Sequence, residues 1–571
     1  VTRRWRTATL LAAALVPLAF LLIFFVWPVA AMLAKGIGAG EALTRVLASA
    51  RTWNVLWHTV WMAGAGTALS VLLGVPGAYV LYRLRFPGRR AVRALSVVPF
   101  VLPTVVVGVA FRALLGDAGP YGFLGIDKTS WAVVLAMAFF NYAVVTRTVG
   151  SLWEGLPLHD DAARTLGASP ARAFFTVTLP ELAPAIVSSA AIVFLFCSTA
   201  YALVRTLGTP GFGTLETEIY TQTNTFLDLE AAAIYSALQL LVVLCAVAAA
   251  GYFRSRAPLA IARRPLRRPT RGAIPALVVT GATAVFLIAA PIASLAINSL
   301  RRGGQWTLDN YRELARSTAG GTTALDALGN SLWAAALATV VSVGAGVILA
   351  VVLSRRVFSR PGKLAQAGLE GLSLMPLGIS AVTLGFGTFI TLRLTLENTQ
   401  ILVPAVQAVV ALPLVTRAML PVLRSINPRL REASATLGAG PWRTLLNVDG
   451  RMALRSLGVA IGFGFAVALG EFGATSFLAA GQNQTLPLLI ERLINRPGAG
   501  NYGMAMAAST VLGVVTGGIM ALCDSLGGAT PGVALATRPS HARSAPRASA
   551  ERSAPLGSAT AKERQSDDRA S

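Results

Sequence analysis

The chain has 571 residues, of which 54% are hydrophobic and only 13% charged, with a mean hydropathy of +0.64. That composition excludes a soluble globular protein and leaves a polytopic membrane protein. A net charge of +24 would suit nucleic acid if it formed one surface, but the positives sit between apolar runs, the positive-inside bias of a membrane protein with some attraction to anionic lipid.

The first apolar run carries no charge from Thr7 to Ala34 and follows the basic flank Arg3-Arg4-Arg6, so it reads as a retained span rather than a cleaved signal. Val1 reads as an alternative start codon translated literally. Twelve spans are expected, at roughly 10–34, 55–82, 92–115, 131–149, 182–205, 231–252, 273–299, 329–354, 366–392, 401–421, 454–480 and 503–526. With the N-terminus inside, most Lys and Arg fall on the cytoplasmic side. After the second span, Arg83, Arg85, Arg89, Arg90 and Arg93 surround Phe86-Pro87-Gly88 in a short inside loop, and Asn141 is a polar residue within the fourth span.

Between the fourth and fifth spans runs Asp161-Ala162-Ala163-Arg164-Thr165-Leu166-Gly167-Ala168-Ser169-Pro170. Gly167 can take the left-handed conformation that ends a helix, and Ser169-Pro170 is an N-cap and first-turn pair for the next, so this segment is a polar helical elbow. Ser198, Thr199, Tyr201 and Arg205 follow at the end of the fifth span, and the outer loop from Thr206 to Glu230 carries Glu216 and Glu218.

Residues 254–272, rich in Arg and Pro, form a cytoplasmic linker that reads as a tether. Six spans precede it, an even number, so the second set starts on the same side and the two sets are parallel repeats. Arg355-Arg356 and Arg360-Pro361-Gly362-Lys363 match the first basic loop. Ser342-Val343 matches Ser70-Val71, and Pro376 and Gly385 match Pro99 and Gly108. The second elbow is Glu432-Ala433-Ser434-Ala435-Thr436-Leu437-Gly438-Ala439-Gly440-Pro441. Gly438 stands as far after Gly167 as Thr485-Leu486 stands after Thr214-Leu215, so elbow and outer loop repeat in one register without a gap. Glu471 is the only charge between Arg455 and Glu491. A charge at mid-span costs about 2.5–3.5 kcal/mol, so Glu471 is expected to face a partner or an aqueous path, or to sit near the outer interface bonded to neighbouring backbone. The tail from Gly527 lacks an apolar period and is expected to be disordered.

Three cysteines and three histidines, scattered, indicate neither a disulfide framework nor a metal site. No phosphate-binding loop, zinc-protease motif or nucleophile elbow occurs, so the chain reads as no enzyme and binds no cofactor by these motifs.

The elbow pattern, acid-Ala-Ala, three residues, Gly, nine residues, aliphatic, one residue, Leu-Pro, resembles the EAA loop of permease subunits in binding-protein-dependent ABC importers. The first copy fits through Val177 and Leu179-Pro180, with Asp161 for Glu. The second has Ser434 for the second Ala and Gly450-Arg451 for Leu-Pro. The resemblance covers roughly residues 10–526 and implies an all-α fused permease of 12 transmembrane helices in two parallel six-helix repeats, at 1–253 and 273–526, with the linker at 254–272 and the tail at 527–571. It implies a bacterial inner-membrane location with both termini cytoplasmic, two ATPase subunits binding ATP, and an extracytoplasmic binding protein. It also implies that Asp161, Ala162, Ala163 and Gly167, with Glu432, Ala433 and Gly438, contact the ATPase.

The translocation path is then expected to include Glu471, Ser198, Thr199, Tyr201 and Asn141, with Glu216 and Glu218 docking the binding protein. Thr214-Leu215-Glu216-Thr217-Glu218-Ile219-Tyr220, Leu469-Gly470-Glu471-Phe472-Gly473 and Thr485-Leu486-Pro487 resemble thiamine and ferric-iron permeases in particular, without separating the two. A secondary transporter of 12 spans lacks the elbows, and a non-transporting scaffold is the third reading; retention of an ATPase distinguishes them.

Overall fold

The computed structural model describes residues 13–156, 159–208, 212–254, 266–316, 322–355, 359–393, 400–479 and 483–527. The basic N-terminal flank, linker residues 255–265 and the tail from 528 lie outside them. Among the described residues ten helices are long and apolar enough to cross a membrane, and two bent pairs bring the total to twelve. In chain order the spans are α1 Ala13–Ile37, α2 Ala50–Arg83, α3 Arg89–Val101 with Thr104–Leu115, α4 Ser130–Gly155, α5 Pro170–Ser198 and α6 Leu229–Ala249. They continue with α7 Arg271–Ser299, α8 Ala324–Ser354, α9 Gly362–Gly378 with Ala381–Arg393, α10 Leu402–Ser425, α11 Trp442–Gly470 and α12 Ala499–Cys523. Helix is the conformation these apolar runs must take, since it satisfies every backbone donor and acceptor within the segment.

The repeat is visible in the packing. α2 lies along α4 and both contact α5, just as α8 lies along α10 and both contact α11. Without a hydrophobic drive between helices in lipid, close approach at small residues holds such pairs together. A Cβ on Gly74 would stand 2.7 Å from the Val145 side chain, and one on Gly346 would stand 2.6 Å from Val415. The first span of each set instead packs partly against the other set. Trp27–Ile37 of α1 lies on Ala381–Thr388 of α9, and Ala290–Ser299 of α7 lies on Thr104–Leu115 of α3. The Ser294 hydroxyl donates to the Ala113 carbonyl across that contact, at 3.0 Å.

Two expectations change. The third and ninth spans are not straight: α3 bends by 111° and α9 by 99°. Pro103, which has no backbone N–H, precedes the second arm of α3. Ser380 caps the second arm of α9 by accepting from the Val382 and Thr383 amides. Secondly, the stretch from Thr206 to Glu230, expected as an outer loop, is largely helical among its described residues. Tyr201–Leu207 and Leu215–Asn224 are helices, the latter started by a capping box of Thr214 and Thr217. Its counterpart is the helix Leu486–Ile494 after Thr485. On the elbow side, the described end of the linker is tied down: the Arg267 amide donates to the Arg83 carbonyl and its carbonyl accepts from the Arg85 amide, both at 2.8 Å.

Candidate functional site

A cavity of about 240 Å³ lies between the two sets of spans, bounded by the bends of α3 and α9 and by the chain just beyond α5 and α11. Broken helices put irregular backbone at membrane depth only where it lines a cavity or is buried in protein, and here the breaks do line one. Phe100, Phe140 and Phe463 form an aromatic wall, with Phe100 5.6 Å from Phe140 and 6.5 Å from Phe463.

Over this cavity the two sets meet through equivalent residues. α5 and α11 both stop, at Ser198 and Gly470, and the chain turns inward. Tyr201 and Phe472 hold the same place in the two repeats, and they consequently stack on each other with centroids 5.4 Å apart and planes at 20°. Tyr220 packs on Tyr201 at 5.9 Å and edge-on to Phe477 at 5.5 Å. Arg205 lies 4.9 Å above the Tyr220 ring and pairs with Glu491, the residue that takes the place of Tyr220 in the second repeat. The Asn495 amide donates to the same carboxylate at 2.9 Å. This aromatic plug and ion pair join one set of spans to the other at the end of α5 and α11 remote from the elbows.

Of the sequence-derived path residues, Thr199, Tyr201 and Glu471 border the cavity. Ser198 and Asn141 are not among its lining. Ser198 turns back to the Leu195 carbonyl at 2.9 Å, and Asn141 donates to the Met137 carbonyl and to Cys197 Sγ inside the N-terminal set. Glu471 is no free charge either. Its carboxylate accepts from the Ala474 amide at 2.7 Å, the Thr475 amide at 3.1 Å and the Thr475 hydroxyl, closing the N-terminus of the short helix Thr475–Leu478. The reading of a carboxylate bonded to neighbouring backbone is therefore the one the geometry shows.

Glu216 and Glu218 correct a second expectation, because neither is presented on an outer surface for docking. Glu218 is buried and accepts two hydrogen bonds from Arg51, at 3.0 and 2.9 Å, and one from Gln222. Glu216 is 1% exposed and borders the cavity. Neither of its oxygens accepts a hydrogen bond, although the Ser380 hydroxyl and the Tyr201 backbone stand beside it. The available signal was the helical spacing of Leu215, Ile219 and Thr223, which makes this segment a helix with a buried face. Glu491 and the Phe100, Phe140 and Phe463 wall also escaped sequence reading, since their role depends on which helix ends converge.

The two elbows repeat each other atom for atom in their closures. In the first, Leu166, Gly167 and Ala168 donate to the carbonyls of Ala162, Arg164 and Ala163. In the second, Leu437, Gly438 and Ala439 donate to Ala433, Ala435 and Ser434. Gly167 has φ +90° and Gly438 φ +79°, the left-handed stop expected of a Schellman ending. Ala162, Glu432 and Ala433 are exposed, as are both glycines, while Ala163 is half-buried. The backbone of Asp161 lies in the helix His159–Thr165, and its side chain lies outside the described residues. Leu166 and Leu437 protrude, at 89% and 87% exposure. The second elbow's departures are compensated: the Ser434 hydroxyl pairs with that of Thr444 at 3.1 Å, and buried Asp449 receives both Arg431 and Arg355 at 2.7 Å.

Residues 66–257, covering α3 to α6, most of α2 and the first elbow, match the family described as "Binding-protein-dependent transport system inner membrane component". The thiamine transport system permease protein ThiP of Brucella abortus is 27% identical over 528 residues, which are 86% of this chain and 92% of that one. This chain carries a domain of that family and over most of its length is similar to the permease subunits of ABC importers. The ThiP of Escherichia coli is 26% identical over 81% of this chain and 86% of its own length. The sulfate transport system permease protein CysT of Salmonella typhimurium is 37% identical over 25% of this chain and 58% of its own. A crystal structure of a bacterial ABC transporter importing alginate aligns with a TM-score of 0.38 and 16% identity, over 45% of this chain and all of that one. A permease of this kind is a multi-pass inner-membrane transport subunit rather than an enzyme, and hydrolysis of ATP belongs to a separate subunit. That likeness favours the permease over the secondary-transporter and scaffold readings.

Proposed function

We propose that the chain supplies both halves of the translocation path of a thiamine importer, residues 1–253 and 273–526 forming two permease domains joined by the tether 254–272, with the tail 527–571 cytoplasmic. Both termini and both elbows face the cytoplasm. Each elbow seats on one of two copies of an ATPase subunit, through Asp161, Ala162, Ala163 and Gly167 in the first and Glu432, Ala433 and Gly438 in the second. An extracytoplasmic binding protein delivers solute at the opposite end, above the Tyr201–Phe472 stack.

The observation that carries this reading is the elbow pair, two surface helices with the same glycine closure and the same protruding leucine, each leading through that hydrogen-bonded closure into the start of a spanning helix. A stiff connection of that kind transmits a subunit movement into the bundle, which a loose loop would absorb. Thiamine is favoured as the solute because the relatives named as thiamine permeases span 86% of this chain, against 25% for the sulfate permease. Reconstitution with the ATPase and binding protein tests it. Thiamine uptake into liposomes is expected to require ATP and loaded binding protein, and uptake independent of either would overturn the assignment.

A further inference from the structure

We infer that Glu216 is the charge by which the path recognises a cationic, ring-bearing solute, an inference that rests on the permease reading. The cavity between the two sets of spans is bordered by two carboxylates, and their surroundings separate them. Glu471 spends its acceptor capacity on the Ala474 and Thr475 amides and the Thr475 hydroxyl, so it holds its own chain in shape. Glu216 is 1% exposed, and neither oxygen has a well-formed hydrogen bond although the Ser380 hydroxyl and the Tyr201 backbone stand beside it; burial raises its carboxyl to about 8, so it holds its proton until a cation arrives to displace it. Its neighbour two residues on, Glu218, is matched by Arg51, and Glu491 by Arg205, so carboxylates of this region are otherwise paired.

Burying one acid without a matched partner is costly, and such a residue faces a pathway or a partner. A cation entering the cavity would supply the missing partner. The walls add the other half of the recognition: Phe100, Phe140 and Phe463, with the stacked Tyr201 and Phe472, offer aromatic faces and edges. Aromatic faces attract cations and accept a flat ring by stacking. No lysine, arginine or histidine lines the cavity among the described residues, so the same chemistry disfavours an oxyanion.

The test uses the full chain assembled with its ATPase and binding protein in liposomes, with labelled thiamine and labelled sulfate as probes. Glu216→Gln keeps the side-chain shape and an acceptor oxygen for the Ser380 hydroxyl and the Tyr201 backbone, so its melting temperature should stay close to that of the wild type. Thiamine uptake is expected to fall about tenfold or more, while ATP hydrolysis stimulated by loaded binding protein stays within about twofold, and Glu216→Asp should recover part of the uptake. Uptake by Glu216→Gln equal to wild type would overturn the inference and leave the importer reading intact. Wild-type import of sulfate in preference to thiamine would also overturn it. If the wild-type assembly shows neither ATP-dependent uptake nor stimulated hydrolysis, the importer reading fails and the inference falls with it.

Discussion

Glu471 borders the cavity, and its carboxylate is at the same time bonded to its own chain. In the sequence it is an isolated acid in an apolar stretch, which suggests a pore. In the fold the chain turns after Gly470, and the carboxylate meets the amides three and four residues later at the start of a short helix. An acid there is favoured by the orphan N–H groups and the positive end of the helix. Glu471→Gln should therefore act first on stability, because an amide replaces one acceptor oxygen by a donor facing other donors. A loss of about 1–3 kcal/mol is expected, read as a lower melting temperature of the purified complex; an unchanged melting temperature with reduced uptake would show that Glu471 acts on the solute rather than on its own chain. The spacing to Thr475 was legible. That the chain bends there was not, since the bend depends on Phe472 stacking on Tyr201 from the other set of spans.

Among elements, the elbows were the most legible part of the sequence, because glycine, N-cap and proline act locally and do not depend on what packs nearby. Nothing lies within 4 Å of a Cβ built on Gly167 or Gly438. Substitution there meets no clash, so its cost is backbone strain alone, about 1–2 kcal/mol for a side chain at positive φ. Gly167→Val and Gly438→Val should each leave membrane insertion intact and lower ATP hydrolysis stimulated by loaded binding protein. Since the closures are equivalent, the two should be affected alike; normal coupled uptake in both would remove the elbows as the transmission site. The anchoring of the second elbow was not legible, because Asp449 finds Arg355 only once α8 and α11 are side by side. Asp449→Asn would leave two arginines without their buried partner, a loss of about 3 kcal/mol. It should reduce uptake while the ATPase still co-purifies, and loss of the ATPase from the complex would show instead that Asp449 holds the docking surface itself.

At the scale of the whole molecule the repeat was readable from the constant offset between matching residues, but the way the two sets interlock was not. Exchange of α1 and α7 onto the opposite broken spans, and convergence of two helix ends over one cavity, arise from tertiary packing that no periodicity encodes. The plug lies at the far end of α5 and α11 from the elbows, about 44 Å away for the 29 helical residues from Pro170 to Ser198. Any movement started at the elbows must separate Tyr201 from Phe472 and Arg205 from Glu491 if the cavity is to open at that end. Their attachment therefore sets how readily the resting molecule opens. The Arg205–Glu491 pair is desolvated on the Glu491 side, at 7% side-chain exposure, and Arg205 also rests on Tyr220, so parting them leaves a buried charge without its partner and costs more than parting a surface ion pair. Glu491→Gln retains a hydrogen-bond acceptor for Arg205 and Asn495 but removes the charge. With less holding the plug shut, ATP hydrolysis in the absence of binding protein should rise severalfold, about 1 kcal/mol in the closed-to-open balance, and the ratio of stimulated to basal hydrolysis should fall. Basal hydrolysis equal to wild type, with uptake unchanged, would show that the ion pair is a packing contact and that the closed mouth is held by the aromatic stack alone.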